Sequence, residues 1–311
     1  MSDQPILHHF EASPFSEKIR VIFGFKRIAW QSVLIPRILP KPDLMPLTGG
    51  YRRTPVMQIG ADIFCDTQII MRELERRYPT PTLFPNGNAG LPWMVGQWTD
   101  RTFFLSTVNL VFGSLGDKVP QEFIADRTKL RGAPFDVKAM TAALPHHRDQ
   151  VRSHIDMVEA QLGGRAGDGE RSWLLGAFSL ADVSAYMNVW YMRTNLANTD
   201  EFLKEFPRVL AWERRVRELG HGTRSDIPAQ QALDIARQAS ATTRPQADAG
   251  DPTGRKVGDR VAVVADEAVR TAVSGEIVSL SAQHVAIRRH DEKVGDVVVH
   301  FPRSGYQVIA Q

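Results

Sequence analysis

The chain has 311 residues, more than one typical core can hold, and this length predicts two or three domains. Its 43% hydrophobic and 23% charged residues are typical of a globular protein and exclude a disordered or fibrous one. The 38 basic and 35 acidic residues leave a formal net charge of +3. That excess is too small for a phosphate-neutralising surface, so we expect no nucleic-acid partner.

Hydropathy and cysteine content narrow the class of protein further. No apolar run reaches the roughly 20 residues of a membrane helix, and the first residues lack the features of a signal peptide. We therefore expect no membrane association and a cytoplasmic location. Cys65 is the only cysteine, which excludes an internal disulfide. The neighbouring pairs His8 and His9, and His146 and His147, cannot present two ligands on one face, so we expect no metal site.

Residues 1–85 alternate short β-branched runs with two helical segments. Strands are predicted at residues 6–10, 29–35, 56–59 and 63–65. A helix is predicted at residues 14–25, where Ser13 serves as N-cap and a proline occupies the first turn. A second helix begins at Asp66 and ends before Pro79. This order predicts a compact α/β domain.

Residues 86–240 show the periodicity of helices, and we expect an all-α domain there. Apolar residues recur every three or four positions at residues 93–111, 151–162, 180–196 and 206–219. Ser179 and Asp182 have the spacing of a capping box, which predicts a helix start. We interpret residues 121–147, which contain two prolines, as an irregular insertion.

The last part of the chain is rich in strand signals. Residues 241–256 are low in apolar residues and rich in Pro, Gly, Thr and Asp, as in a linker. Beyond them, residues 257–311 are predicted to form a small all-β, barrel-like domain of four or five strands. Residues 251–311 hold eight basic and eight acidic residues, which disfavours nucleic-acid binding. This domain is better interpreted as a contact module that packs on its own chain or on a partner subunit.

Four short segments occur in an order that is similar to a known superfamily. They are Ser13-Pro14-Phe15-Ser16, Arg53-Thr54-Pro55-Val56, Cys65-Asp66-Thr67 and Ser179-Leu180-Ala181-Asp182. Together with the order of elements over residues 5–240, they resemble the soluble glutathione transferase superfamily. The resemblance implies a thioredoxin-like α/β domain followed by an all-helical domain. The C-terminal β-domain lies outside that two-domain plan.

The resemblance implies an enzyme whose co-substrate is glutathione. Such an enzyme activates the glutathione thiol and adds it to a small apolar electrophile, or displaces a leaving group with it. A thiol with a pKa near 8.5 is mostly protonated at neutral pH, so a hydroxyl donor at a helix N-terminus would favour the reactive thiolate. Ser13 falls at the catalytic position of the superfamily. Ser16 is an alternative donor, and a plain capping role for Ser13 is a third interpretation.

The resemblance also implies a set of glutathione-binding residues: Phe15, Lys41, Arg53, Thr54, Pro55, Asp66 and Thr67. The bond between Thr54 and Pro55 is expected to be cis, with backbone groups facing the cysteinyl part of glutathione. The 66–67 pair would hold the γ-glutamyl end at a helix N-terminus. Lys41, Arg52 or Arg53 would contact the glycyl carboxylate.

The second substrate is expected between the domains, against residues at helical spacing: Trp93, Gln97, Trp98 and Arg101. The resemblance further implies a homodimer with a role in detoxification. Two alternatives stay open. One is a non-catalytic glutathione-binding or interaction protein, and the other is a glutathione-dependent thiol reductase, for which the serine at position 13 is the main objection.

Overall fold

The computed structural model describes residues 4–163, 169–266 and 271–311. Its first part is the thioredoxin-like α/β domain that the sequence predicts. The elements are β1 (Ile6–His9), α1 (Pro14–Phe25), β2 (Ala29–Leu34), α2 (Met45–Thr48), β3 (Val56–Ile59), β4 (Asp62–Cys65) and α3 (Thr67–Arg77). β1 runs parallel to β2 and antiparallel to β3, and β4 continues the sheet antiparallel to β3.

Helix α1 follows directly from its sequence. Ser13 has extended backbone angles and accepts a hydrogen bond from the Ser16 N–H, while Pro14 stands in the first turn, where its missing N–H needs no partner. Ile19 and Ile22 are fully buried against the sheet and the helical domain. The helix occupies the predicted residues and places its N-terminus at the end of β1.

The second part is the predicted helical domain. Its elements are α4 (Gly90–Trp98), a π-helical turn (Thr99–Phe103), α5 (Phe104–Leu115), α6 (Gln121–Arg131), α7 (Val137–Ala142), α8 (Leu144–Leu162), α9 (Leu180–Asn195), α10 (Thr199–Leu203), α11 (Pro207–Glu218), β5 (Thr223–Asp226) and α12 (Ala229–Gln238). β5 is a short exposed edge strand that pairs in parallel with β2, an addition to the helices that periodicity did not indicate.

Two local features of this domain were predicted from the sequence, one correctly and one not. The predicted capping box is confirmed, because the Ser179 N–H and hydroxyl both donate to Asp182 Oδ2 at 2.9 Å. The interpretation of residues 121–147 as irregular is wrong, since they form α6, α7 and the start of α8. Pro134 lies between two of these helices and Pro145 in the first turn of α8, a position that tolerates proline.

The C-terminal domain is all-β, as predicted. Its strands are β6 (Arg260–Ala265), β7 (Ala272–Ser281), β8 (His284–Asp291), β9 (Gly295–Pro302) and β10 (Tyr306–Ala310). They pair antiparallel in the order β10-β6-β7-β8-β9, and β9 then pairs in parallel with β4. The added strands therefore continue the thioredoxin-like sheet into one sheet of ten strands.

Strands β1–β4 contribute buried side chains to two cores. One core also contains α1, α3 and the helical domain, and the other contains α12 and residues of β6–β10. Asp62 on β4 joins the two parts, because it accepts hydrogen bonds from Thr242, Thr243 and His300. None of the described helices is long and apolar enough to span a membrane.

Candidate functional site

A cavity of about 580 Å³ opens where the three parts of the chain meet. Ten of the thirteen site residues expected from the sequence line it: Ser13, Phe15, Lys41, Arg53, Thr54, Pro55, Asp66, Thr67, Gln97 and Arg101. Segments that are far apart in the sequence thus converge on one concave surface. This is the arrangement expected of a small-molecule site.

Ser13 stands at the N-terminal end of α1 and is only 3% exposed. Its Oγ accepts a hydrogen bond from the Ser16 N–H at 3.2 Å. Because the oxygen acts as acceptor there, the hydroxyl hydrogen can be donated to a group in the cavity. The positive end of the helix dipole acts in the same direction, since it favours a negative charge at this position.

The alternative donor, Ser16, does not line the cavity. It is fully buried one turn into α1, and its Oγ has no hydrogen-bond partner among the described residues. The rise of the helix explains the difference, because Ser16 is set back from the helix end by about 4.5 Å, the rise of three residues.

The peptide bond between Thr54 and Pro55 is cis, as the resemblance implied. Lys41 lies beside it, and its Nζ donates to the Arg52 carbonyl at 2.8 Å and to Thr54 Oγ1 at 3.1 Å. Burial lowers the pKa of Lys41 to about 8, and the like charges of Arg127 and Arg52 add to this effect. A carboxylate bound here would relieve that electrostatic cost.

Two neighbouring arginines, Arg52 and Arg53, also line the cavity. The Arg52 guanidinium forms an ion pair with Asp126, which is 8% exposed. Lys41 and Arg53 are the two cations of this wall that the resemblance implies for a carboxylate of a bound ligand.

Asp66 and Thr67 form the N-terminus of α3. Asp66 adopts a positive φ of 88° and caps the helix by accepting a hydrogen bond from the Gln68 N–H at 2.8 Å. Asp66 and Thr67 both line the cavity. Burial raises the pKa of Asp66, while the hydrogen bonds that it accepts from Gln68 and Tyr306 act in the opposite direction.

The C-terminal domain supplies one wall of the cavity, which the sequence analysis did not anticipate. Its lining residues are Ala265, Asp266, Ser304, Gly305 and Tyr306. The Tyr306 hydroxyl donates to Asp66 Oδ2 at 3.0 Å and lies 3.3 Å from the Tyr51 hydroxyl. No local sequence signal links Tyr306 to this site, since only the pairing of β9 with β4 brings it there.

Two residues expected in the second-substrate pocket point elsewhere. Trp93 stacks against Arg72, with 4.3 Å between the guanidinium carbon and the ring centroid, and Trp98 donates from Nε1 to His154 Nδ1 at 3.3 Å in the helical core. Neither lines the cavity, unlike Gln97 and Arg101. Arg101 belongs to the π-helical turn and lines the cavity. Trp93 and Trp98 on α4 instead contact Arg72 and His154.

The opposite wall comes from side chains that sequence reasoning missed. Its aromatic residues are Phe10, Phe104, Phe112, Phe123, Phe135 and Tyr191. Arg37, Arg127 and Arg131 surround them. Phe123, Arg127 and Arg131 recur every four residues on α6, a spacing that places them on one face of a helix. This spacing could have indicated the wall, but residues 121–147 were predicted to be irregular.

The single cysteine does not belong to this site. Cys65 is 0% exposed, and burial, with the nearby Asp66 charge adding to it, raises the pKa of its thiol well above the usual range. A buried, protonated thiol is a poor nucleophile. This argues against chemistry that requires a cysteine thiolate of the protein.

Comparisons with known proteins agree with this arrangement. The family described as glutathione S-transferase, N-terminal domain, matches residues 7–82, and the glutathione S-transferase C-terminal domain family matches residues 141–215. A crystal structure of a GST-like protein from Pseudomonas syringae is 36% identical, with a TM-score of 0.82, and each chain is covered completely.

More distant relatives include proteins that carry other names. FtsZ-localized protein A from Caulobacter vibrioides is 28% identical over 192 residues, which span 60% of this chain and 75% of the relative. A glutathione transferase from Phanerochaete chrysosporium, solved with oxidized glutathione, is 16% identical and shares the fold, with a TM-score of 0.52 over 70% of this chain and 91% of its own. The full-length likeness to the Pseudomonas syringae protein and the two matched domain families show that this chain belongs to the glutathione transferase superfamily.

Proposed function

We propose that the chain is an enzyme that binds glutathione in this cavity, ionises its thiol with the help of Ser13, and transfers it to a small electrophile. The observation that carries the proposal is the position of Ser13. It lies at a helix N-terminus and lines the same cavity as the cis Thr54–Pro55 bond and the Asp66–Thr67 pair.

The charges of the lining residues fit the charges of glutathione. At neutral pH glutathione carries an ammonium and a carboxylate at its γ-glutamyl end and a second carboxylate at its glycyl end. Asp66 would accept hydrogen bonds from the ammonium, and the N-terminus of α3 with Thr67 would hold the adjacent carboxylate. Lys41 and Arg53 would bind the glycyl carboxylate. The backbone of Thr54 would pair with the cysteinyl residue.

The role proposed for the protein is to stabilise the glutathione thiolate. Donation of a hydrogen bond from the Ser13 hydroxyl to sulfur, with the α1 dipole, would stabilise the thiolate relative to the thiol. The thiolate then forms a carbon–sulfur bond with the electrophile. In a displacement the leaving group departs with its bonding electron pair, and in an addition the electrophile takes up a proton.

Titration of bound glutathione tests this proposal. Calorimetry would measure the binding of reduced glutathione, and the ultraviolet thiolate band of the complex would be followed from about pH 9 to pH 5, a range that brackets the free-thiol pKa. We expect binding and a thiolate band that persists below about pH 7. Absence of binding at millimolar glutathione would contradict the proposal.

A second candidate is a non-catalytic interaction protein. The observation that favours it is the 28% identity to a protein named FtsZ-localized protein A. In this case the cavity could bind glutathione without turnover, because a fold does not determine a function. Sedimentation of this chain together with FtsZ polymers would support the candidate, and a chain that stays in the supernatant would contradict it.

We also propose that the chain forms a homodimer, which the resemblance implies. Three apolar side chains on α4 and α5 support a contact surface, since Leu91, Met94 and Leu105 are 40%, 64% and 49% exposed. Sedimentation velocity would test this, and Met94→Lys is expected to shift a dimer towards monomer. A wild-type monomer at all concentrations would contradict it.

A further inference from the structure

The cavity carries more positive charge than glutathione requires. Among the described residues, its lining includes seven cationic side chains and three carboxylates. The cations are Arg37, Lys41, Arg52, Arg53, Arg101, Arg127 and Arg131, and the carboxylates are Asp66, Asp100 and Asp266. The excess is large beside the formal net charge of +3 for the whole chain.

Several of these charges are already matched. Asp100 accepts two hydrogen bonds from the buried Lys18 Nζ, at 2.7 and 2.8 Å, so it offers little negative charge to the cavity. Arg52 is paired with Asp126. Lys41 and Arg53 are assigned above to the glycyl carboxylate. The arginines opposite them, at positions 37, 127 and 131, have no role in that scheme.

These three arginines form a cluster around the aromatic wall. The Arg127 guanidinium carbon lies 4.6 Å from the Phe123 ring centroid, and Arg127 Nη2 donates to the Arg37 carbonyl at 3.0 Å. The Arg37 guanidinium lies 5.3 Å from the same ring, and that of Arg131 lies 5.5 Å from the Phe135 ring. Stacking on aromatic faces holds the guanidinium groups in place while their N–H edges remain available to a ligand.

The described residues supply little negative charge to match the cluster. Among the described residues, Arg37 and Arg131 form no ion pair with a carboxylate. Arg127 has one, Asp126 Oδ2 at 3.8 Å, and that carboxylate is shared with Arg52. Burial lowers the pKa of Arg127, and the like charges of Arg52 and Arg37 contribute to the shift. An anion placed among these groups would reduce their mutual repulsion.

The surface between the arginines is apolar and aromatic. Phe112, Phe135 and Tyr191 are buried to 7%, 4% and 7% exposure and line the cavity beside the cluster. A ligand that suits both features combines a flat apolar body with a negatively charged group.

We propose that the second substrate is an aromatic electrophile that carries a carboxylate, with the carboxylate bound by Arg37, Arg127 and Arg131. This inference rests on the proposed transferase function and changes the expectation of a neutral apolar electrophile. The three arginines determine specificity, and Ser13 with the glutathione site performs the reaction.

A matched pair of substrates tests the inference. The probes are 4-chloro-3,5-dinitrobenzoate and its methyl ester, which both release chloride when the glutathione thiolate attacks the ring. We expect the wild-type enzyme to have the higher kcat/KM for the acid. Arg131→Gln and Arg37→Gln should each raise KM for the acid by roughly tenfold or more, the range for loss of a hydrogen bond to a charged group, and leave KM for the ester unchanged.

Lys129→Gln is the control, since Lys129 is an exposed cation on the same helix and does not line the cavity. Equal values for acid and ester in the wild type, or variants that behave like this control, would overturn the inference. An equal loss of glutathione affinity in Arg131→Gln and Arg37→Gln would also overturn it, because the arginines would then serve glutathione.

Direct binding separates this inference from the proposed function. If neither substrate reacts, the transferase proposal fails, and calorimetry with 4-nitrobenzoate, which has no leaving halide, tests the anion site alone. Binding that is lost in the double variant Arg37→Gln/Arg131→Gln and kept in Lys129→Gln would support the carboxylate site. Absence of binding to the wild type would overturn it.

Discussion

The Tyr306 hydroxyl donates a hydrogen bond to Asp66 Oδ2 at 3.0 Å, although 240 residues separate the two in sequence. Asp66 belongs to the thioredoxin-like domain, and Tyr306 is the first residue of β10 in the C-terminal domain. The added domain therefore contacts the residue proposed to bind the ammonium of glutathione. It is part of the cavity wall and not a distant appendage.

Replacement of Tyr306 by Phe should change the pH dependence of glutathione binding. The hydrogen bond stabilises ionised Asp66, so its loss raises a carboxyl pKa that burial already raises. Asp66 would then become neutral at a higher pH, and binding would weaken earlier on acidification. Calorimetry with S-methylglutathione between about pH 7 and pH 4, a range that brackets a raised carboxyl pKa, measures the shift. Tyr186→Phe, in the helical core, is the control, and identical profiles for all three proteins would contradict the prediction.

Replacement of Ser13 by Ala should raise the pKa of the bound glutathione thiol and lower kcat/KM by roughly 10- to 100-fold, the value of one hydrogen bond to a charged group. Loss of the N-cap should also lower the free energy of unfolding by about 0.5–2 kcal/mol. The thiol pKa separates the two roles, because a capping residue would not affect it. Ser16→Ala is the matched control, since its hydroxyl does not line the cavity. An unchanged thiol pKa in Ser13→Ala would leave Ser13 as a cap only.

Glutathione binding should weaken at alkaline pH, because Lys41 loses its positive charge there. Its pKa is lowered to about 8, so the side chain is positive below that pH and neutral above it. A carboxylate ligand therefore loses its partner as the pH rises through about 8. S-methylglutathione, which has no thiol to titrate, allows this to be measured by calorimetry. Lys41→Met should bind more weakly and lack this part of the pH dependence, whereas Lys118→Met should match the wild type. Equal slopes in Lys41→Met and wild type would exclude Lys41 from the site.

Asp62 should stabilise the junction between the β-domain and the thioredoxin-like domain. Burial raises the pKa of its carboxyl, but hydrogen bonds from His300, Thr243 and Thr242 outweigh this effect and bring the pKa to about 2. A lowered pKa in the folded state favours folding above the unfolded value of about 3.9, and this contribution is lost as the pH falls through about 2.

Asp62→Asn should therefore lower the free energy of unfolding at neutral pH by roughly 2 kcal/mol. The difference from wild type should shrink as the pH falls from about 4 to 2. Denaturant titration at several pH values measures both effects. Asp296→Asn is the control, because Asp296 is a mostly exposed carboxylate on β9. A constant difference across the pH range would show that the ionised carboxylate is not what stabilises the junction.

Local interactions made much of the fold predictable from the sequence. Ser13 with Pro14 determines the start of α1, and Ser179 with Asp182 determines the start of α9, because each cap is completed within one turn of backbone. Strand alternation and the resemblance together predicted the thioredoxin-like sheet and the residues Ser13, Thr54 and Asp66 that line the cavity.

Other features depended on contacts between distant segments. The side chains of Trp93 and Trp98 pack on Arg72 and His154 and not into the cavity. Apolar residues at helical spacing predict a buried helix face, but they do not specify whether that face meets a cavity. The sequence did not predict Arg127 and Arg131 of α6 as site residues, because Pro134 and Pro145 favour an irregular segment there, although both prolines lie outside that helix. The wall that carries Tyr306 could not be predicted at all. An edge strand such as β4 presents the same backbone N–H and C=O groups to any partner, so only the folded chain determines that β9 pairs with it and brings Tyr306 to Asp66.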